Sequence, residues 1–466
     1  MELRKTSVRQ VVDTVYSDET TAYQLIEQTL KNCSVLNEGL NLFTSLAGVD
    51  AFEQAKAVDY LIESGEKPPL AGIPVVLKDD ICFGVLPTSF GSGFFKEFMS
   101  PHTATAVERL MDAGAIVIGK TNLDDMSLGS TTRTSPFGAS ISPWSSKRVA
   151  GSAGAAAVAS GACMVALESD SGGALRQGAS HCGVVGLRPT TGRISRHGLN
   201  AFSPSFGQLG ITAFSSENVK TILEIIEGAD QRDASTFINR ESSFGGSEPD
   251  FDKITIGYPV SAFDHLEPAL REMFERLREE YVTQGFKVRD IDLGLFREAL
   301  QAYYVLSSAE ASSNHARFDG IRFGKAAEAD NLEDLYRKSR GNTLGREARR
   351  RSIFGTYLLS EGNYERYYRQ ALKIWQVVRK EFNAALSECD LLLLPAVKKL
   401  PRLLNEEKSF LEEWEEDLFC APVSMTGLPS LCLPAGQIEA LPVGMQLVGP
   451  PFSEETLLAV GARVAR

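Results

Sequence analysis

Apolar residues recur at helical spacing through the first sixty positions. The run from Thr20 to Leu30 carries them behind a Thr/Asp-type start signal, and Val49 to Glu63 repeats the pattern, so both segments are predicted helices. The period then changes. Gly72 to Lys78 is a short, β-branched apolar run of the kind a buried strand requires. A helix over Ala104–Ala113, a strand over Ala115–Gly119 and a turn at Lys120–Asn122 come next. Such alternation predicts βαβ units and a largely parallel sheet covered by helices. Between 146 and 193 glycine, alanine and serine dominate. Val158, Val165, Leu167, Val184, Val185 and Leu187 are interleaved there, which points to packed structure with close backbone approach rather than a linker. From Ser247 the chain is more polar and helical. Helices are predicted over 267–284, 298–316 and 364–386, and strands over 286–291 and 390–395. The Glu-rich stretch 411–417 reads as a solvated surface helix or loop.

Composition narrows the function classes. The chain has 466 residues, which by length alone predicts two or three domains. Its net charge of -12 argues against broad adhesion to nucleic acid or an anionic membrane. The 7 cysteines are scattered without a C-x-x-C pair, as in a reduced cytoplasmic protein. The N-terminus runs into charged amphipathic sequence rather than a signal peptide, and no segment is apolar for long enough to span a membrane.

The 5 histidines show no metal-ligand spacing, so no metal is expected. Neither a phosphate-binding glycine loop nor a G-x-S-x-G elbow is present, and no cofactor is implied. Three features remain. Lys78 ends an apolar strand, where it is either a desolvated base or a lysine reaching solvent. Ser171, Gly172 and Gly173 follow Asp170 after another apolar run; they form either an oxyanion-binding turn or an ordinary glycine turn. Ser152 opens an alanine-rich helix, and a capping role alone would explain it.

Taken together, these pieces fall into a known order. Gly72–Lys78, Gly119–Asn122, Arg148–Ser152, Ser169–Gly173 and Cys182–Thr190 resemble the amidase signature family. Within it the chain is most similar to A subunits of tRNA-dependent amidotransferases. Tyr303–Asn314, Ala316–Gly320, Gly355–Ser360, Gly427–Ser430 and Leu441–Gly449 extend the resemblance over nearly the whole chain.

The resemblance implies one α/β domain around a mixed sheet, covered by helices on both faces. Its parts would be a helical 1–65, a signature core 66–215, and 247–466 completing the sheet and pocket. It implies a lysine, a serine preceded by a cis peptide bond, and a nucleophilic serine that attacks an amide carbonyl. Lys78 matches the lysine. Ser152 best matches the bridging serine, in a loop shortened by two residues. Ser171, Gly172 and Gly173 match the oxyanion loop. The nucleophile position is Ala174. Tyr304, Asp417 and either Arg350 or, preferably, Arg351 fall at glutamine-binding positions.

Further departures surround Ala174, at Glu168, Gly178 and His181. The family reaction is hydrolysis of the glutamine amide to supply ammonia for amidation of misacylated tRNA, and the alanine predicts that it is impaired or lost. The alternatives are an active amidase with a relocated nucleophile (Ser171, Ser152 or Cys182), or a non-catalytic amide-binding or scaffold protein. B and C subunits and glutamine or another small amide are the implied partners, without direct nucleic-acid or membrane contact.

Overall fold

The computed structural model describes residues 2–237 and 249–464. Among them, thirteen strands run in chain order. β1 is Phe43–Leu46, β2 Pro74–Lys78, β3 Ile116–Thr121, β4 Ile141–Ser142 and β5 Ser145–Val149. β6 is Val165–Asp170, β7 Val185–Arg188, β8 Gln208–Ala213 and β9 Thr255–Pro259. β10 is Lys287–Ile291, β11 Leu391–Pro395, β12 Ser430–Ile438 and β13 Leu441–Val448. β4 and β5 form a separate ribbon. The other eleven make one sheet in the order β1-β3-β2-β6-β8-β7-β12-β13-β11-β9-β10.

Because that sheet draws strands from Phe43 to Val448, the chain is one large α/β domain rather than the two or three its length suggested. The boundary placed at 247 lies outside the described residues.

The sheet is mixed, not largely parallel. β2 pairs in parallel with β3 and β6, and β9 with β10 and β11; the remaining six pairings are antiparallel. The antiparallel centre carries weak strand signals because glycine serves packing there. A Cβ at Gly186 would lie 2.7 Å from the Ala179 Cβ, and one at Gly210 would overlap the Leu187 carbonyl oxygen. β12 and β13 join through Glu439 and Ala440, both at positive φ (54° and 62°), a tight hairpin without the usual Asn-Gly signature.

Local chemistry explains the helices that were legible. Thr21 caps Ala22–Leu40 with a reciprocal bond to Gln24, and Val49–Glu63 forms as expected. Ser152 caps Ala153–Ser160, accepting from the Ala155 N–H at 3.2 Å. Tyr364–Leu386 begins as a π-turn over Tyr364–Tyr368 before becoming α-helical. β2, β3, β6, β7, β8, β11 and β13 are buried along their whole length, and β2 and β11 read accordingly as nearly continuous apolar runs. The 7 cysteines are free and buried. Among the described residues no helix is long and apolar enough to cross a membrane.

Candidate active site

Parallel pairing of β2 with β6 sets Leu77 beside Leu167, so the C-terminal ends of both strands open on one side of the sheet. Lys78, only 8% exposed, donates from Nζ to Ser169 Oγ at 2.8 Å. Its Nζ is also 3.6 Å from Asp80 Oδ2. Ser169 Oγ donates to the same Asp80 oxygen at 2.5 Å, as does Ser127 Oγ at 2.5 Å. The lysine therefore stands in a buried hydroxyl–carboxylate cluster rather than in bulk water.

Past β6 the chain turns through Ser171, Gly172 and Gly173 into the helix Ala174–Cys182. Both glycines are required by contact. A Cβ on Gly172 would come 2.7 Å from Tyr303 Oη, and one on Gly173 would overlap Cys420. Gly173 also has φ 123°, a conformation that only glycine adopts without strain. Ala174 is the first helical residue, so its N–H belongs to the set with no partner inside the helix. Together with the glycine turn, this end can receive a developing negative charge.

The turn is anchored from behind. Arg176, fully buried, grips Asp170 through Nε at 2.9 Å and Nη2 at 3.1 Å. It also donates to Gln446, the Cys420 carbonyl and Ser424. Burial pushes the Asp170 carboxyl up, but Arg176 and Arg188 outweigh it and hold it below the ordinary carboxylate range.

Lys78, Ser169, Ser171, Gly172 and Ala174 line one wall of a cavity of about 90 Å³. Tyr304, Arg351, Trp414 and Asp417 line it as well. Tyr304 Oη donates to Asp417 Oδ2 and Gln177 Nε2 to Oδ1, both at 2.7 Å. Burial raises the Asp417 carboxyl to about 6, against the pull of those two bonds and of Arg351. Arg351 bonds Glu347 at 2.8 Å, and its guanidinium lies 4.4 Å from the Tyr304 ring centroid and 4.9 Å from that of Trp414. Arg350 also pairs with Glu347 and does not line the cavity. The Glu-rich stretch is thus not simply a solvated element: Glu413, Trp414 and Asp417 face the cavity.

Ser152 departs from its expected place. Its Oγ donates to Glu168, not to Lys78, and it is absent from the cavity wall. The peptide bond before it is trans, as is every peptide bond among the described residues. Glu168 also accepts from Thr212 Oγ1 at 2.6 Å, and burial raises its carboxyl despite both hydroxyl donors. The neighbouring departures interlock with this pair. A Cβ on Gly178 would overlap Ser152, one on Gly154 would lie 2.7 Å from Glu168, and one on Gly151 would lie 3.0 Å from His181. Cys182, at the far end of its helix, is buried against the Ala150 carbonyl at 3.3 Å.

Three participants emerge only from the fold: Ser169, Gln177 and Trp414. Gln177 stands three residues after Ala174, on the same helix face, so helical spacing alone could have flagged it. Ser169 belongs to the motif Ser169–Gly173, in which only the later residues have an implied role. Trp414 carries no sequence signal.

A lysine at a strand end and a glycine turn entering a helix, together at the wall of one cavity, define the class. The Amidase family model matches residues 24–458, and the chain belongs to this family. It is 37% identical over 453 residues to the A subunit of glutamyl-tRNA(Gln) amidotransferase from Natranaerobius thermophilus, covering 96% of this chain and 90% of that one. The protein of the same name from Nitrosococcus oceani is 37% identical over 465 residues, covering 98% and 96%. Among solved structures, the glutamyl-tRNA(Gln) amidotransferase A subunit of Thermotoga maritima superposes with TM-score 0.81 at 30% identity, covering 98% and 94%. The peptide amidase of Stenotrophomonas maltophilia gives TM-score 0.83 at 25% identity, covering 98% and 96%.

Proposed function

We propose that this chain is an amidotransferase A-subunit homologue that keeps the amide pocket and has lost the covalent glutaminase route. The observation that carries this is Ala174 at the end of the glycine turn, lining the same cavity as Lys78 and Ser169. A methyl group supplies no nucleophilic atom, so no acyl-enzyme forms through position 174. The commitment of Ser152 to Glu168 supports the same reading, because it leaves Lys78 in contact with Ser169 instead of a relay toward position 174.

The chain would serve in an assembly with B and C subunits as a structural or regulatory member, or as one supplied with ammonia from elsewhere. Glutamine or a related small amide would occupy the pocket beside Tyr304, Arg351 and Asp417, and tRNA would be handled by the partners. A relocated nucleophile finds one foothold. Ser171 lines the cavity, and its hydroxyl has no hydrogen-bond partner among the described residues. It shares no hydrogen bond with Lys78, however, whose bond goes to Ser169.

The test is glutamate release from glutamine by the natural chain and by Ala174→Ser, side by side. The expected result is silence from the natural chain. Turnover at ordinary enzyme rates, about 1–1000 per second, would overturn the proposal. Recovery in Ala174→Ser would show that position 174 is the only lesion. Continued silence would assign a second one to the Ser152–Glu168 pair.

A further inference from the structure

A second cavity, of about 290 Å³, lies across a loop from the first. Leu199, Asn200, Ala201 and Pro204 line it, whereas Phe202 lines the amide cavity, and no lining residue is common to both. Its charge is lopsided. Arg196, Arg232 and Arg317 stand there with a single carboxylate, Asp233, in a chain whose net charge is -12. Arg232 is spent on Glu108 and Asp230. Arg196 Nε lies 3.6 Å from Asp233, and its Nη1 donates to the Pro204 carbonyl at 2.6 Å. Arg317 has no ion pair among the described residues. Its guanidinium donates to the backbone and side-chain oxygens of Asn314, at 2.9 and 2.6 Å, which leaves Nη1 unused.

Other donors at this wall also lack partners. The half-buried Asn200 side-chain amide has no hydrogen bond among the described residues. His315 ends the helix Phe296–His315 and is 1% exposed, and neither of its ring nitrogens has a partner there. Burial, with Arg340, Arg317 and Arg351 adding to it, lowers His315 to about 4, so at neutral pH the ring is uncharged and keeps one N–H. A buried polar group left without a bond costs the fold free energy that a bound acceptor recovers. No hydrogen bond fixes the χ2 of His315, a torsion with broad wells, so the ring can turn that N–H toward the cavity.

The donors come from two separate elements. Arg196 and Asn200 belong to the loop between β7 and β8, and His315 and Arg317 to the end of the helix. Acceptors that point several ways from one centre suit such a set better than the two coplanar oxygens of a carboxylate, and guanidinium forks match phosphate oxygens. The volume admits about twenty to thirty non-hydrogen atoms, several times a bare phosphate, and Leu199, Pro204 and Phe318 offer apolar contact to the remainder.

We propose that this cavity binds a small phosphate monoester, with its phosphate held by Arg196, Asn200, His315 and Arg317 and its organic part against Leu199 and Phe318. The proposal does not rest on the amide-pocket reading, because the two cavities have separate walls.

The test is calorimetry of the full chain with ribose 5-phosphate, inorganic phosphate, ribose and gluconate, at about pH 7.5, where the phosphate is a dianion. Ribose 5-phosphate is expected to bind about tenfold to a hundredfold more tightly than ribose or gluconate, the range of charged hydrogen-bonded contact, and inorganic phosphate should displace it. Arg317→Gln should weaken ribose 5-phosphate about tenfold and leave ribose unaffected, whereas Arg317→Lys should keep part of the gain. The Arg317 side chain is exposed, so both variants should unfold like the natural chain, which serves as the folding control. His315→Leu separates a ligand role from a structural one. It removes a buried polar group that bonds nothing among the described residues, so its unfolding transition should match or exceed that of the natural chain while its phosphate affinity falls about threefold to tenfold. Equal affinity for ribose 5-phosphate and ribose, a preference for gluconate, or binding that either Arg317→Gln or His315→Leu leaves undiminished overturns the proposal.

Discussion

Asp417 offers the sharpest test of the site's electrostatics. Its carboxyl sits at about 6 in the fold, against an ordinary value of 3.8. A difference of about two units corresponds to about 3 kcal/mol at full weight. The side chain is only half-buried at the cavity wall, so water screens part of this, and about 1–3 kcal/mol is the expected size. Below about pH 4 the folded and unfolded chains both hold the proton, and nothing is lost. Between about pH 4 and 6 the folded state holds a proton that the unfolded state has released, so stability falls as pH rises. Above about pH 6 the loss is complete and constant. Asp417→Asn removes the titration while keeping an acceptor for Tyr304 or Gln177. Relative to the natural chain, the variant should therefore gain about 1–3 kcal/mol between pH 4.5 and 7.5, whatever constant offset the lost hydrogen bond adds. Denaturant unfolding of both proteins at four pH values across that range measures the gap. A gap that does not change with pH would refute the claim that burial, rather than the Tyr304 and Gln177 bonds, governs this carboxyl.

Two further outcomes test the frame around the site. Arg176→Met leaves the buried Asp170 with Arg188 at 3.6 Å as its remaining cation and should cost about 3–5 kcal/mol in denaturant unfolding, with Asp170→Asn in the same chain recovering part of it. Gly178→Ala places a methyl group on Ser152 and should cost about 1–3 kcal/mol; Ser152→Gly should relieve that loss, and additive losses in the double variant would deny the interlock.

Much of this protein was legible without coordinates. The helices near Thr21 and Val49 carry their own start signals and apolar faces, and the buried strands ending at Lys78 and Pro395 read as unbroken apolar runs. These are local signals, set by hydrogen bonding and period within a dozen residues. Ordered motifs from Gly72 to Gly449 placed the family, and with it the mixed sheet that the βαβ pattern alone had read as largely parallel. The position of Ala174 within the glycine turn was visible on the same ground.

What the sequence could not determine depends on contacts between distant segments. Ser152 is a serine after a glycine in any reading. Only the packing of β6 against β8 brings Glu168 and Thr212 together, and only that pair claims the Ser152 hydroxyl. The Glu-rich stretch looked solvated because its composition is polar, yet its Asp417 is held by a tyrosine 113 residues away and a glutamine 240 residues away. The same holds for the cations on the cavity wall: their charges are written in the sequence, but only the fold sets Lys78 against Asp80, Arg351 against Glu347 and Arg402 against Glu413.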